Sequence, residues 1–103
     1  MGTVSITVTD APERERFEAH DEDGTLAGVV TYQLTGNIVV YTHTKVEPAF
    51  EGHGVGALLA TAVMDDARAR NRTVVPICPF LSEWLEKHKE YDKLVARSTR
   101  KVK

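Results

Sequence analysis

The sequence lacks most of what would tie a chain to a special environment. A single cysteine, Cys78, excludes an internal disulfide and argues against a cysteine-rich zinc site, so no metal is expected. No apolar stretch is longer than a few residues and no basic-then-apolar leader opens the chain, so no membrane contact is expected and the cytoplasm is the expected compartment. Low-complexity tracts and internal repeats are missing too, which leaves an ordinary globular composition. A length of 103 residues suits one domain, expected over 1–103 with its core at about 4–95 and a basic tail at 96–103. The net charge of -2 is too small to point to nucleic acid, although it conceals an asymmetry. Residues 1–51 hold nine acidic and three basic side chains, and residues 52–103 hold six and ten. An anionic ligand is therefore better received in the second half.

That second half opens with the most informative stretch, Glu51-Gly52-His53-Gly54-Val55-Gly56-Ala57-Leu58-Leu59. Three glycines at alternate positions lead from an apolar strand into a periodic helix. Glycine lets the backbone turn sharply and approach a ligand closely, and the first amides of a helix have no partner within it. With the positive end of the helix dipole, these groups suit a pyrophosphate.

Before this loop the pattern is that of strands. Val4, Ile6 and Val8 alternate with polar residues ahead of a turn at Asp10-Ala11-Pro12. Arg16 to His20 leads into the acidic turn Asp21-Glu22-Asp23-Gly24, Leu26 to Leu34 is rich in β-branched residues, and Ile38 to Val46 follows the turn Thr35-Gly36-Asn37. An antiparallel meander results, ended by Pro48. From Gly54 the period becomes helical, with Val55, Leu58, Leu59, Ala62 and Val63 on one stripe and Asn71 as the C-cap. Thr73 to Cys78 reads as a strand parallel to the third β-run through this crossover. Pro79 opens a last helix with Phe80, Leu81, Trp84, Leu85 and His88 on one face. The expected class is α/β (α+β), a mixed sheet with a glycine-rich loop, a long helix, a parallel strand and a C-terminal helix.

This order resembles the GNAT-type N-acetyltransferases. Glu51, Gly54 and Gly56 fall on the specified positions of that family's loop, Gln/Arg-x-x-Gly-x-Gly/Ala, with Glu51 as a departure. Phe50-Glu51-Gly52-x-Gly54-x-Gly56, then Val75-Pro76-x-Cys78-Pro79-Phe80 and His88-x-x-Tyr91, looks like the small YjdJ-type branch, which also carries Glu there. The resemblance runs from about residue 14 to 95. It implies acetyl-coenzyme A as cosubstrate and transfer of acetyl to an amine of a small molecule or a protein. The pantetheine arm would enter where two core strands splay at a bulge, here between Thr42–Glu47 and Thr73–Cys78. Amides of Gly52, His53, Gly54, Val55, Gly56 and Ala57, beside Glu51, would hold the pyrophosphate, and the amide near Val46 the thioester oxygen.

Catalytic candidates follow from the same resemblance. Cys78 would accept acetyl, protonate the leaving thiol or merely pack, since free cysteine usually behaves as a small hydrophobe. His43, alternating with Tyr41 and Lys45, would serve it as a base. Tyr91 would be the general acid or an aromatic cover on the core. Glu47 stands where a carboxylate base is common, although beside Pro48 a solvated loop residue is the plainer reading.

Other glycine-loop chemistries fit less well. A nucleotide P-loop needs Lys then Ser or Thr after its last glycine, and Ala57-Leu58 stands there. Gly52-x-Gly54-x-x-Ala57 satisfies the dinucleotide fingerprint, yet residues 67–82 contain no acidic side chain to meet a ribose. Two other function classes stay open: an acyl-coenzyme A sensor without turnover, and nucleic-acid binding through the basic tail, which interleaved aromatic residues do not support.

Overall fold

The computed structural model describes residues 5–96. Four strands, β1 (Thr7–Ala11), β2 (Arg16–His20), β3 (Leu26–Thr35) and β4 (Ile38–Val46), form an antiparallel meander, and β5 (Thr73–Pro76) joins β4 in parallel. Sheet order thus follows chain order. The turns have local causes. Asp21 Oδ1 accepts the amides of Asp23 and Thr25 at 2.9 Å each, and Gly36 takes the positive φ of 58° that the β3–β4 turn demands.

Helix α1 (Val55–Ala69) returns across the sheet and buries Val55, Leu59, Ala60, Val63, Met64 and Ala67. These pack against Phe17, Ala19, Val30, Tyr32, Val39 and Tyr41, a core in which most side chains are all but inaccessible. The Tyr41 hydroxyl donates to the Val63 carbonyl at 2.8 Å and pins the helix at mid-length. Gly28 lies under its first turns: a Cβ there would stand 2.8 Å from the Lys45 carbonyl oxygen and 3.1 Å from Leu59. Helix α2 (Pro79–Glu86) buries Leu81 and Leu85, and a 3-10 segment (Lys89–Leu94) seats Tyr91 before Val95 bridges to Val74.

The opposite face of the sheet is charged. Glu18 lies between Phe17 and Ala19, which enter the core, so it points the other way. There it is nearly buried, with Arg14 bonding both of its oxygens and Arg16 one. Hydrogen bonds from Arg14 and Arg16 hold its carboxyl at about 2, against an ordinary 4.5. Its ionisation therefore stabilises the fold above the ordinary carboxylate range, and that contribution is lost as pH falls through about 2.

Several expectations shift. Strand β1 runs through Asp10 to Ala11 instead of turning there, because Asp10 Oδ1 accepts the Tyr32 hydroxyl at 2.7 Å; Val4 lies outside the described residues. The buried stripe of α1 is rotated: Leu58 is exposed, while Ala60, Met64 and Ala67 go inside toward α2 and the sheet. Asn71 stands one residue past the cap Arg70, at φ 58°. Strand β5 stops at Pro76, and His88 lies past the end of α2, stacked on Trp84 with its Nδ1–H donating to the Trp84 carbonyl at 2.7 Å. The basic residues at 97–103 lie outside the described residues. Among the described residues, no helix is long and apolar enough to cross a membrane, and no group of three or more His, Cys, Asp or Glu could hold a metal.

Candidate functional site

At the mouth of α1, Gly52 (φ 87°) and Gly54 (φ 75°) take left-handed conformations that other residues adopt only with strain. Gly56 serves a different end. Its Cβ would meet the Phe80 ring at 2.9 Å, so glycine there permits a close approach of α2. No side chain caps the helix. Within the stretch, Glu51 N–H donates to Pro48, His53 N–H to Phe50 and Leu58 N–H to Gly54. Among the described residues, the amides of Gly52, Gly54, Val55, Gly56 and Ala57 have no acceptor. Five unpaired donors thus stand at the positive end of a 15-residue helix, an arrangement that favours negative charge. His53 is the exception to the expected cradle, since its amide is already spent at 3.3 Å. The side chains of Glu51 and His53 are exposed.

The second half of the site is an opening in the sheet. Strand β5 pairs with β4 only from Ile38↔Thr73 to Tyr41↔Pro76. The Tyr41 carbonyl then accepts from both Ile77 and Cys78 at 3.1 Å, and the strands part. The cause lies on the other side of β4. Tyr32 pairs with Tyr41 while Thr31 pairs with His43, so Thr42 is an extra residue, a bulge that bends β4 away from β5. The opening therefore faces Thr42–Val46 from Ile77 onward, and the expected stretch Thr73–Pro76 is zipped shut. Glu47 N–H donates to the Ala27 carbonyl at 2.8 Å, on the β3 side. Alternation along the strand turns the peptide groups of Val46 the other way, into the opening.

Cys78 is buried at this parting, and its thiol donates to Thr44 Oγ1 at 3.1 Å. Thr44 pairs with buried Val30 and so faces the core; its neighbour His43 pairs with Thr31, faces outward and is exposed. His43 is accordingly not brought to Cys78. The bulge at Thr42 breaks the alternation that put Tyr41, His43 and Lys45 on one face. Tyr91 is also placed elsewhere: its hydroxyl donates to Asp65 at 2.7 Å and Arg68 lies 4.8 Å over its ring. Asp65 is eight residues beyond Ala57, about 12 Å along α1. Burial and the Asp65 carboxylate raise the Tyr91 pKa, so the group holds its proton as a structural tie. Glu47 is partly exposed, with Oε2 4.0 Å from Lys45 Nζ.

Thr44 is the residue that sequence reasoning missed. Its partner lies 34 positions away, and the only local signal is a hydroxyl in a strand position where an apolar side chain would be usual. One hollow of about 490 Å³ is lined in part by Pro76, Ser82, Glu86 and Asp92, and a smaller one of about 130 Å³ by Phe80, Glu83, Trp84 and Lys87.

A family model described as GCN5-related N-acetyl-transferase matches residues 16–94. The solution structure of a GCN5-like candidate N-acetyltransferase from Staphylococcus aureus is 27% identical, with a TM-score of 0.65 over 93% of this chain and 91% of that one. The crystal structure of a nourseothricin acetyltransferase shares the fold at 19% identity, with a TM-score of 0.51 over 85% of this chain and 67% of the other. No curated protein sequence matches.

Proposed function

This chain belongs to the GCN5-related N-acetyltransferase family, and from that premise we propose that it transfers an acetyl group from acetyl-coenzyme A to an amine of a small molecule or a protein. One observation carries the reading: the five unpartnered amides at the mouth of α1 stand at the same end of the sheet as the opening made by the Thr42 bulge. The amides fit a diphosphate, and the opening offers strand edge to a slender amide-bearing arm.

Within that opening the chain's own groups have distinct tasks. The Val46 amide faces the place where a thioester oxygen gains charge on attack, and it costs no reorganisation because the strand already aims it. The Cys78 thiol, held by Thr44, gives its proton to the departing sulfur. The thiolate so formed takes the proton that the newly acylated nitrogen sheds, which restores the thiol and closes the balance. In this scheme His43 and Tyr91 have no part, and the amine must arrive unprotonated.

The test combines binding, turnover and mass. Acetyl-coenzyme A should raise the melting temperature, and an amine panel should release free coenzyme. In Cys78→Ala, release should fall while stabilisation stays. An acetyl mass gain on the wild type that Cys78→Ala abolishes would replace the proton relay with a covalent step. Among the described residues no base is hydrogen-bonded to Cys78, which favours a second reading, an acyl-coenzyme A sensor, that stabilisation without release across the whole panel would establish.

A further inference from the structure

Phe80 is left unexplained by the site as drawn. It is the second residue of α2 and stands two positions past Cys78, yet it is 40% exposed while its neighbour Leu81 is 1% exposed. Exposure of one apolar side chain is ordinary; the placement of this one is not. Its ring is not loose: the tip is held against α1, where Cζ would stand 2.9 Å, and Cε1 3.4 Å, from a Cβ at Gly56. This contact accounts for glycine at the second position of a helix, where it is otherwise disfavoured.

The placement has a direction. The backbone of Phe80 belongs to the junction that carries Cys78 at the opening, and its ring tip ends against Gly56 in the first turn of α1, whose amide has no acceptor among the described residues. One side chain thus spans the interval between the two halves of the site. A molecule that anchors a diphosphate on the amides at the mouth of α1 and lays a thiol-bearing arm between the strands would cross that interval.

We infer that Phe80 is a ligand-contacting residue whose ring lines the path of the pantetheine arm; the inference rests on the acetyl-coenzyme A reading above. The arm's geminal dimethyl group and methylene units are the apolar chemistry that an exposed ring face suits, whereas a bare nucleotide has nothing to offer it. Phe80 therefore makes the site select for an armed nucleotide over an unarmed one.

Calorimetric titration of wild type, Phe80→Ala and Phe80→Leu with two probes tests this. The probes are coenzyme A and 3′-phosphoadenosine 5′-diphosphate, which keeps the nucleotide and diphosphate but has no arm. Phe80→Ala should weaken coenzyme A about tenfold and Phe80→Leu about threefold, with the armless probe held within about twofold. Retained armless binding shows an intact cradle, and the Leu variant carries the comparison should the Ala variant fold poorly. Equal weakening of both probes, or none of either, overturns the role of Phe80. If the wild type binds neither probe, the acetyl-coenzyme A reading itself has failed.

Discussion

The last turn of α1 and its first turn are built on opposite plans. At the C-terminal end the carbonyls of Asp66, Ala67 and Arg68 all accept from the residues that follow the helix. Arg72 N–H returns to the Ala67 carbonyl at 2.9 Å and Asn71 N–H to Arg68 at 3.2 Å, the pair of bonds that closes a helix around a left-handed residue. Asp66 holds Arg70, Asp65 takes the Tyr91 hydroxyl, and Arg68 covers that ring. At the N-terminal end there is no capping side chain, no acidic residue in the first turn, and a row of amides without acceptors. A cap of Ser or Asp would add about 1 kcal/mol to such a helix. The mouth forgoes that stability and leaves its donors unpaired, and the far end supplies the anchorage that lets it do so.

Substitutions at four positions would break or sharpen this contrast. Gly28→Ala has the largest expected effect, because the backbone carbonyl of Lys45 blocks the new methyl under the first turns of α1. Overpacking there should cost about 1–3 kcal/mol in chemical denaturation; a neutral result would mean that the mouth is not held by this seat. Asn71→Ala should cost about 1–2 kcal/mol, since alanine resists a φ of 58°, while Asn71→Gly should be nearly neutral and neither should alter coenzyme A affinity. Ala57→Glu should do the reverse. A carboxylate in the exposed first turn favours the helix by about 0.3–1 kcal/mol, yet it should weaken coenzyme A about tenfold at low salt by repelling an anion. Unchanged affinity would remove the mouth from the site. Tyr91→Phe should be the mildest, with about 0.5–1.5 kcal/mol of stability lost with the Asp65 bond and turnover unchanged; a large fall in turnover would restore Tyr91 as a catalytic acid.

Much of this frame can be read along the chain because its causes are local. The bounds of β4, the turn at Gly36 and the start of α1 after Gly54 follow from residue periodicity and from backbone angles that glycine alone takes easily. What cannot be read depends on distant pairs or on one-residue offsets. The sequence Tyr41-Thr42-His43-Thr44 carries no mark of a bulge, because alternation among Thr and His looks the same with or without an extra residue. His43 is misplaced for that reason alone. Tyr91 and Asp65 are 26 positions apart, and Cys78 and Thr44 are 34 apart, so neither pairing can be read from neighbouring residues. Leu58 falls on a helical stripe by spacing, but contact with the sheet and α2 turns that stripe toward Ala60, Met64 and Ala67. The third glycine was legible as special, and its reason, the ring of Phe80, was not.

Thr42 holds a consequence for how such a protein changes over time. Pairing on either side of it, Tyr32 with Tyr41 and Thr31 with His43, would survive its loss without a slip. An in-frame loss of that one codon would thus leave a sheet of the same strands in the same order, but straightened, with Ile77 and Cys78 able to continue the pairing of β5 with β4. A single supernumerary amino acid separates an opened sheet from a closed one, and the step between them can be taken in either direction without a change of register in the rest.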